Sequence, residues 1–240
     1  MTEYNKNNAD RPQKAGTVIH IDGQAHVMRL DEGQVRLSLG VAIKSGDVVE
    51  TAANGKLTIL FSDGSELMLG PDARFSLDSF AFNRALRYSR LDAWVLEGSF
   101  VFACGMTSDG GAAVFQTRQA KIHVTNGKIA GKTNPVEQVS MFSLLPQSDG
   151  YVGSASLIYG DGAVLLGGAN DTIIVMAETG KASSVVKLSE EDLAESYAGL
   201  FVGAWHDGAL ETMSPANLEK NETRKSSGKM FTDTDSKKTA

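Results

Sequence analysis

Short runs of alternating apolar and polar residues occupy most of this chain. Leu57, Ile59 and Phe61 share one side of an extended segment, and residues 73–78 repeat the alternation. Period-two alternation over runs of about five residues predicts half-buried antiparallel strands. The pattern predicts strands at residues 17–21, 24–30, 35–39, 57–61, 73–77, 96–104, 113–117, 121–125, 136–145, 154–159, 163–166 and 172–176.

Turn residues separate these runs between residues 39 and 83. Aspartate beside glycine usually forms a local hydrogen bond to the backbone, so such pairs favour turns over catalytic sites. We interpret seven residues as structural turns that set strand register, and Asp47 and Asp63 as poor candidates for catalysis. The seven are Gly46, Asp47, Gly55, Asp63, Gly64, Gly70 and Pro71.

The hydrophobic period changes near Leu188. Ser189 can cap a helix, and the acidic residues 190–192 would fill its first turn, where they favour the helix dipole. The sequence therefore predicts one amphipathic helix over residues 189–206, which we expect to pack on a sheet rather than to bind a partner. Its apolar face would contain Leu193, Tyr197, Leu200, Phe201 and Ala204.

These elements predict an all-β fold with one C-terminal amphipathic helix. Residues 1–15 and 207–240 are rich in polar residues and are predicted to be disordered. A β domain is predicted over residues 16–188, with halves at 16–83 and 93–188 on either side of a basic connector at 84–90.

Composition narrows the classes of partner. The chain has 240 residues, a formal net charge of −6 and a pI near 5.3, so it lacks the basic surface that nucleic acid requires. No apolar run approaches the roughly 18 residues that span a bilayer, and the N-terminus lacks a signal-peptide core. Cys104 is the single cysteine and lies in an apolar run, so we expect a buried, inert thiol and no intrachain disulfide.

Two glycine-rich segments resemble ligand loops but depart from them. Residues 127–133 have one residue too few between the glycines for a phosphate-binding loop, and Pro135 follows where a helix must begin. Residues 167–173 match one defective calcium-binding nonapeptide repeat, and such repeats bind calcium only when stacked. We interpret the first segment as a strand-connecting turn and the second as a glycine-rich turn into the strand at 172–176.

No residue set with catalytic or metal-binding spacing emerges. His20, His26, His123 and His206 have no second ligand at suitable spacing, and we expect no cofactor and no metal. The alternation places His20 and His123 on polar faces. A pair of carboxylates distant in sequence stays an open alternative. A binding groove made by aromatic side chains is less favoured than a core role for Trp94, Phe100, Phe102 and Phe115.

The order of landmarks resembles that of the FecR-like domain of bacterial envelope regulators. The landmarks are Gly46-Asp47, Thr51, Gly55, Asp63-Gly64-Ser65, Gly70-Pro71 and 77–80 (Leu-Asp-Ser-Phe), within 16–29, 39–83, 95–105 and 114–131. The segment Ile122–Gly127 departs from the family motif, which leaves its family role open. The resemblance implies an antiparallel, solenoid-like β-sandwich that binds other proteins and is not an enzyme.

Three hypotheses follow. The leading one is a non-enzymatic module that mediates protein–protein interaction in bacterial envelope regulation or assembly, through strand edges and loops. The alternatives are a surface-retention or secretion-linked module of an exported protein, and a β protein that binds a glycan or small ligand. The partner's identity, the oligomeric state and the compartment stay open: envelope, exported without a cleaved signal peptide, or cytoplasmic.

Overall fold

A computed structural model describes residues 13–105, 112–177, 180–197 and 200. These residues form 18 strands and one helix. The strands are β1 Lys14–Asp22, β2 Ala25–Arg29, β3 Gly33–Arg36, β4 Ala42–Lys44, β5 Val48–Thr51, β6 Lys56–Phe61, β7 Glu66–Leu69, β8 Arg74–Asn83, β9 Tyr88–Ala103, β10 Ala112–Gln116, β11 Ala120–Asn126, β12 Lys128–Asn134, β13 Val139–Leu145, β14 Ser154–Tyr159, β15 Gly162–Leu166, β16 Asp171–Met176, β17 Lys181–Ala182 and β18 Val186–Lys187; the helix is α1 Glu190–Ser196. The predicted all-β fold with one C-terminal helix is confirmed.

The strands form two sheets that share one strand. The first sheet has the order β4-β1-β6-β7-β9-β12-β13-β16, and both β17 and β18 pair with β16. The second sheet has the order β3-β2-β5-β8-β9-β10-β11-β14-β15. Among these pairs only β9 and β10 run parallel.

The strand β9 lies at the centre of both sheets. Its first part, up to Glu97, pairs with β8 and β10, and its last part, from Gly98, pairs with β7 and β12. Gly98 has a φ of +85°, and a Cβ atom there would lie 2.5 Å from the Cα atom of Ala73. A glycine is therefore required where the strand passes from one sheet to the other.

Stacked and edge-to-face aromatic rings lie between the sheets. Phe115 of the second sheet lies 4.8 Å from Phe100 and 4.9 Å from Phe102 of the first sheet, between ring centroids. Phe61 and Phe80 form a similar contact at 5.3 Å. One continuous apolar core contains buried residues of both predicted halves, because the shared strand joins them. The core role predicted for Phe100, Phe102 and Phe115 is confirmed.

The helix covers the outer face of the first sheet. Leu193, Tyr197 and Leu200 pack against Val101 and Ala130 in a second apolar cluster, together with Leu145. The hydroxyl groups of Tyr197 and Ser143 are 3.0 Å apart, and burial raises the pKa of Tyr197 well above its usual value. The predicted packing of this helix on a sheet is confirmed. Residues 201–206 of the predicted helix lie outside the described residues.

Residues 128–133 lie in β12, so the predicted connecting turn is wrong for them; only Gly127, with a φ of +103°, separates β11 from β12. β12 pairs with β9 on one side and β13 on the other, in the middle of the first sheet. Gly131 suggested a turn, but a Cβ atom at this position would lie 2.1 Å from the Phe100 ring. The residue is glycine because an aromatic ring from the neighbouring strand occupies the place of its side chain.

Several predicted boundaries shift. β1 begins at Lys14, inside the segment 1–15 that was predicted to be disordered, and β9 begins inside the predicted connector 84–90. β13 begins at Val139 and not at Val136, which lies in the turn before it and is exposed. Residues 1–12 and the predicted tail 207–240 lie outside the described residues.

Candidate protein-docking surface

The seven predicted turn residues lie between consecutive strands. Gly46 and Asp47 separate β4 from β5, Gly55 lies between β5 and β6, and Asp63-Gly64 joins β6 to β7. The pair Gly70-Pro71 joins β7 to β8. Gly46 and Gly64 have φ values of +89° and +84°, which favour glycine. Their effect on strand register stays a prediction.

The Asp47 carboxylate is held by hydrogen bonds within its turn and from a neighbouring strand. It is 3% exposed and accepts hydrogen bonds from the Lys44 backbone N–H at 2.9 Å and from Arg29 Nε at 3.2 Å. The Arg29 guanidinium also donates to the Ala42 carbonyl and to Glu32. Burial lowers the pKa of Arg29, but its hydrogen bonds to Asp47 and Glu32 outweigh burial and raise the pKa overall. This network ties β2 of the second sheet to β4 of the first.

The Asp63 carboxylate is also fully engaged. It accepts hydrogen bonds from the backbone N–H of Ser65 at 2.9 Å, from the Ser65 hydroxyl at 2.9 Å and from the Ser89 hydroxyl. These residues line a cavity of about 20 Å³ beside Cys104, which holds about one water molecule. Burial, and then the charge of Asp63, raise the pKa of the Cys104 thiol to about 12. The thiol therefore stays protonated, as expected for an inert cysteine.

The described histidines and the second glycine-rich segment belong to no group of metal-ligating side chains. Within residues 13–105, 112–177, 180–197 and 200, no group of three or more His, Cys, Asp or Glu side chains could hold a metal ion. Burial, together with Lys121 and Arg90, lowers the pKa of His123. The backbone N–H of Gly168 donates to Asp171 Oδ2 at 2.7 Å, so this carboxylate stabilises the turn into β16 that the sequence predicts. His206 lies outside the described residues.

A groove of about 540 Å³ runs beside α1. Four carboxylates line it, those of Asp72, Glu97, Glu137 and Glu195. Lys132 also lines the groove and donates to the Ser196 carbonyl at 3.3 Å, which links β12 to the end of the helix. Asp72 and Glu137 lie in turns, Glu97 on β9 and Glu195 on α1, so the groove brings together carboxylates that are distant in sequence, as the alternative with a pair of acting carboxylates requires.

No helix in the described part of the chain combines the length and the apolar character needed to cross a membrane.

One row of side chains crosses the outer face of the second sheet. The strand register places Met28, Val48, Ser76, Trp94, Gln116, Lys121 and Ile158 side by side on seven consecutive strands. Met28 is 46% exposed and Ile158 is 48% exposed. We call this row and its flanking residues the Trp94 face.

Trp94 belongs to this face and not to the core. Its neighbours Ala93 and Val95 are 3% and 2% exposed and point into the core, so alternation directs Trp94 outwards, where it is half-buried. The core role that the sequence favoured for Trp94 is therefore wrong. The alternation from Leu91 to Val95 predicts that Trp94 points outwards. The general preference of aromatic residues for cores predicts the opposite, and that preference was the misleading signal.

Charged residues flank this row on both sides. On one side, Arg74 Nε lies 3.0 Å from Glu50 Oε1, and the register continues to His26 and Arg36. On the other side, Asp92 accepts from Arg90 Nε at 2.8 Å and from Ser79 at 2.9 Å. The hydrogen bond from Arg90 lowers the pKa of Asp92. A half-buried aromatic centre with a polar rim is typical of a protein interface.

No protein-family model matches the sequence, and no curated protein matches it. Two crystal structures of a proposed anti-sigma factor from Parabacteroides distasonis, at 1.65 and 2.50 Å resolution, have TM-scores of 0.49 and 0.48 and 16% identity to this chain. Each alignment covers 61% of this chain and 62% of the neighbour, so the chain spans less than two thirds of these neighbours.

Proposed function

We propose that this chain is a FecR-like, non-catalytic module that binds another protein through the Trp94 face. The observation that carries the proposal is a difference between the outer faces of the two sheets. α1, the helix of the described part of the chain, lies on the first sheet, while Trp94, Met28 and Ile158 reach solvent on the second. Tryptophan is among the residues that most often dominate the free energy of protein binding.

The face defines the chemistry of its partner. A complementary surface would cover Met28, Val48 and Trp94 with apolar side chains and would place acidic groups near Lys121 and Arg90. The flanking ion pair of Arg74 and Glu50 would lie at the rim, where charges govern association rate and specificity more than affinity. We assign the module to regulation or assembly in the bacterial envelope, following its FecR-like landmarks.

The engaged carboxylates support a non-catalytic function. Asp47 and Asp63 bind the backbone and side chains of their own turns, which leaves neither free to act as a general acid or base. The cavity beside Cys104 admits about one water molecule, which is far less than a small ligand needs, whereas the groove of about 540 Å³ beside α1 stays the site of the alternative with two acting carboxylates.

Site-specific photo-crosslinking in the native cells tests the proposal. A photoreactive residue at Met28 should crosslink one partner, and the same residue at Leu86 should not. Leu86 is 75% exposed and lies in the β8–β9 turn, remote from the row, so it is a matched control. Crosslinking of equal yield at both positions, or at neither, would contradict the proposal.

Binding of the purified partner then measures the contribution of the face. We expect Trp94→Ala to weaken binding at least tenfold, about 1.4 kcal/mol, and Leu86→Ala to leave it unchanged. Cell fractionation checks the compartment separately, because recovery in the cytosol alone would contradict the envelope assignment while leaving the binding result intact.

A further inference from the structure

The last strand of the second sheet has a free and uncharged edge. β15 pairs with β14 alone among the described residues. Its sequence, Gly-Ala-Val-Leu-Leu, contains no lysine, glutamate or proline, which are the residues that usually protect sheet edges. Leu165 on this strand is 68% exposed. The opposite edge, β3, contains Gln34 and Arg36 and follows Asp31 and Glu32.

The hairpin that leads into β15 determines which of its backbone groups are free. Tyr159 pairs with Gly162 across a two-residue turn, and Gly160 at the first central position has a φ of +44°. The residues that flank such a turn form a hydrogen-bonded pair, and hydrogen-bonded pairs then alternate along the ladder. Gly162, Val164 and Leu166 therefore bond to β14, and Ala163 and Leu165 direct their N–H and C=O groups to the open edge.

A second β15 strand complements this edge in size. In an antiparallel pair centred on Val164, Ala163 lies opposite Leu165 of the other copy, and Gly162 lies opposite Leu166. Each leucine therefore meets a small residue, with one such pairing on each face of the sheet. The same register brings the free groups of Ala163 and Leu165 together as hydrogen-bonded pairs and leaves the two Val164 residues as the close, non-hydrogen-bonded pair.

The residues that flank β15 meet in this register without a steric conflict. Asp161 in the hairpin turn would lie opposite Gly167, which has no atom within 4 Å of an added Cβ. Gly160 would lie opposite Gly168. The Asp171 carboxylate accepts from the N–H groups of Gly167 and Gly168, so this register also brings Asp161 of one copy near Asp171 of the other, and their repulsion weakens the association.

We propose that two copies of this chain associate through β15, in an antiparallel and twofold symmetric pair centred on Val164. The second sheets then continue into one another across the molecular twofold axis. Two five-residue strands with one row of side chains on each face form an interface at the low end of the usual range, so the dimer is weak and reversible. This dimer uses an edge that the binding of a partner to the Trp94 face does not require.

Sedimentation equilibrium of the full chain tests the association. Between about 1 µM and about 1 mM protein, we expect the mean mass to rise from 25.5 kDa towards twice that value. Leu165→Lys should weaken association at least tenfold, because it places an ammonium group in the apolar contact with Ala163. Leu39→Lys is the matched control, since Leu39 is 65% exposed and lies outside β15.

A disulfide across the twofold axis tests the register. In a Cys104→Ser background, Val164→Cys should form a covalent dimer on mild oxidation, because directly opposite non-hydrogen-bonded residues have Cα atoms about 4.5 Å apart. Leu39→Cys should stay monomeric on reducing-agent-free gels. A constant mass of 25.5 kDa, a Leu165→Lys variant that associates like the wild type, or an absent Val164→Cys disulfide would each overturn the proposal.

Discussion

The two outer faces of this sandwich have the same strand architecture but different surroundings. On the first sheet, Val101, Ala130 and Leu145 are almost fully buried because α1 covers them. On the second sheet, the row through Trp94 meets solvent, with ion pairs on either side. The apolar face of a lone sheet gains stability when it is covered, so α1 gives the first face a structural role, whereas the second face meets solvent in the described part of the chain.

The composition of the strands already differs between the faces. In β9, residues 100–103 are apolar without interruption, as expected for a segment buried on both sides. In β11, apolar Ile122 and Val124 alternate with Lys121 and His123, as expected for a segment with one wet side. A continuous apolar run thus identifies the covered face, and strict alternation identifies the open one.

Replacement of the side chain that anchors the helix should have the largest effect. Tyr197 is 1% exposed and contacts Ser143, so Tyr197→Ala removes a buried ring and a hydrogen-bonded hydroxyl group. We expect the free energy of unfolding to fall by about 3–5 kcal/mol, measured by urea denaturation. Trp94→Ala should lower it by only about 1–2 kcal/mol, because water already reaches part of the indole.

The ratio of these two losses tests the contrast directly. Glu191→Ala in the first turn of α1 is the control for the helix, because Glu191 is exposed and makes no core contact. Equal losses for Tyr197→Ala and Trp94→Ala would mean that both faces are equally covered, and the docking surface would lose its basis.

The second largest effect concerns the strand beneath the helix. β12 directs Ala130 towards α1 and Gly131 towards the core, where a Cβ atom would lie 2.1 Å from Phe100. Gly131→Ala should therefore lower the free energy of unfolding by about 2–3 kcal/mol. Gly167→Ala is the matched control, with no atom within 4 Å of the added methyl group, and we expect it to be neutral. A neutral Gly131→Ala would contradict the placement of this segment inside the sheet.

This glycine also marks the limit of prediction from sequence. Period-two alternation located most strands, because a half-buried strand must alternate. Alternation did not identify β12, because the side chain that fills the space beside Gly131 belongs to Phe100, which is 31 positions away. Sequence spacing does not encode that contact. The start of β9 was also not identified, because a basic segment with Arg84, Arg87 and Arg90 resembles a connector.

The sequence predicted the positions of the turns but not the position of Trp94. The turn residues from Gly46 to Pro71 lie between strands where their backbone preferences place them. Trp94 was assigned to the core because aromatic residues usually lie there, and only the register of neighbouring strands shows that it shares a row with Met28 and Ile158. Cross-strand neighbours depend on pairing, and pairing is a property of the fold.

The cap of α1 should have a smaller effect. The Ser189 hydroxyl accepts from the Asp192 N–H at 3.1 Å, and the Asp192 carboxylate accepts from the Ser189 N–H at 3.3 Å, which forms a capping box. Ser189→Ala should lower the free energy of unfolding by about 1 kcal/mol and reduce the cover of the first face. Ser148→Ala, at an exposed loop position, should have no effect. A Ser189→Ala variant as stable as wild type would show that packing alone holds the helix.

The smallest expected effect is a difference between the two faces in how stability depends on pH. Glu66 lies on the outer side of the first sheet, where burial raises its pKa despite the opposing charge of Lys128. Its carboxylate therefore destabilises the folded state above the folded pKa, and that cost disappears as pH falls towards the usual value of about 4.3. Asp92 on the second face has a lowered pKa, so its stabilising contribution is present above the usual value of about 3.9 and is lost as pH falls through the folded pKa.

Neutral replacements at these two positions should consequently act in opposite directions at pH 7. Glu66→Gln should raise the free energy of unfolding slightly, and its advantage should vanish near pH 4. Asp92→Asn should lower it by about 0.2–1 kcal/mol, as for an exposed ion pair, with a loss that shrinks in acid and in high salt. Urea denaturation at several pH values measures both. Shifts of the same sign would remove the electrostatic difference between a covered face and an open one, because burial raises a carboxylate pKa and a solvent-exposed arginine partner lowers it.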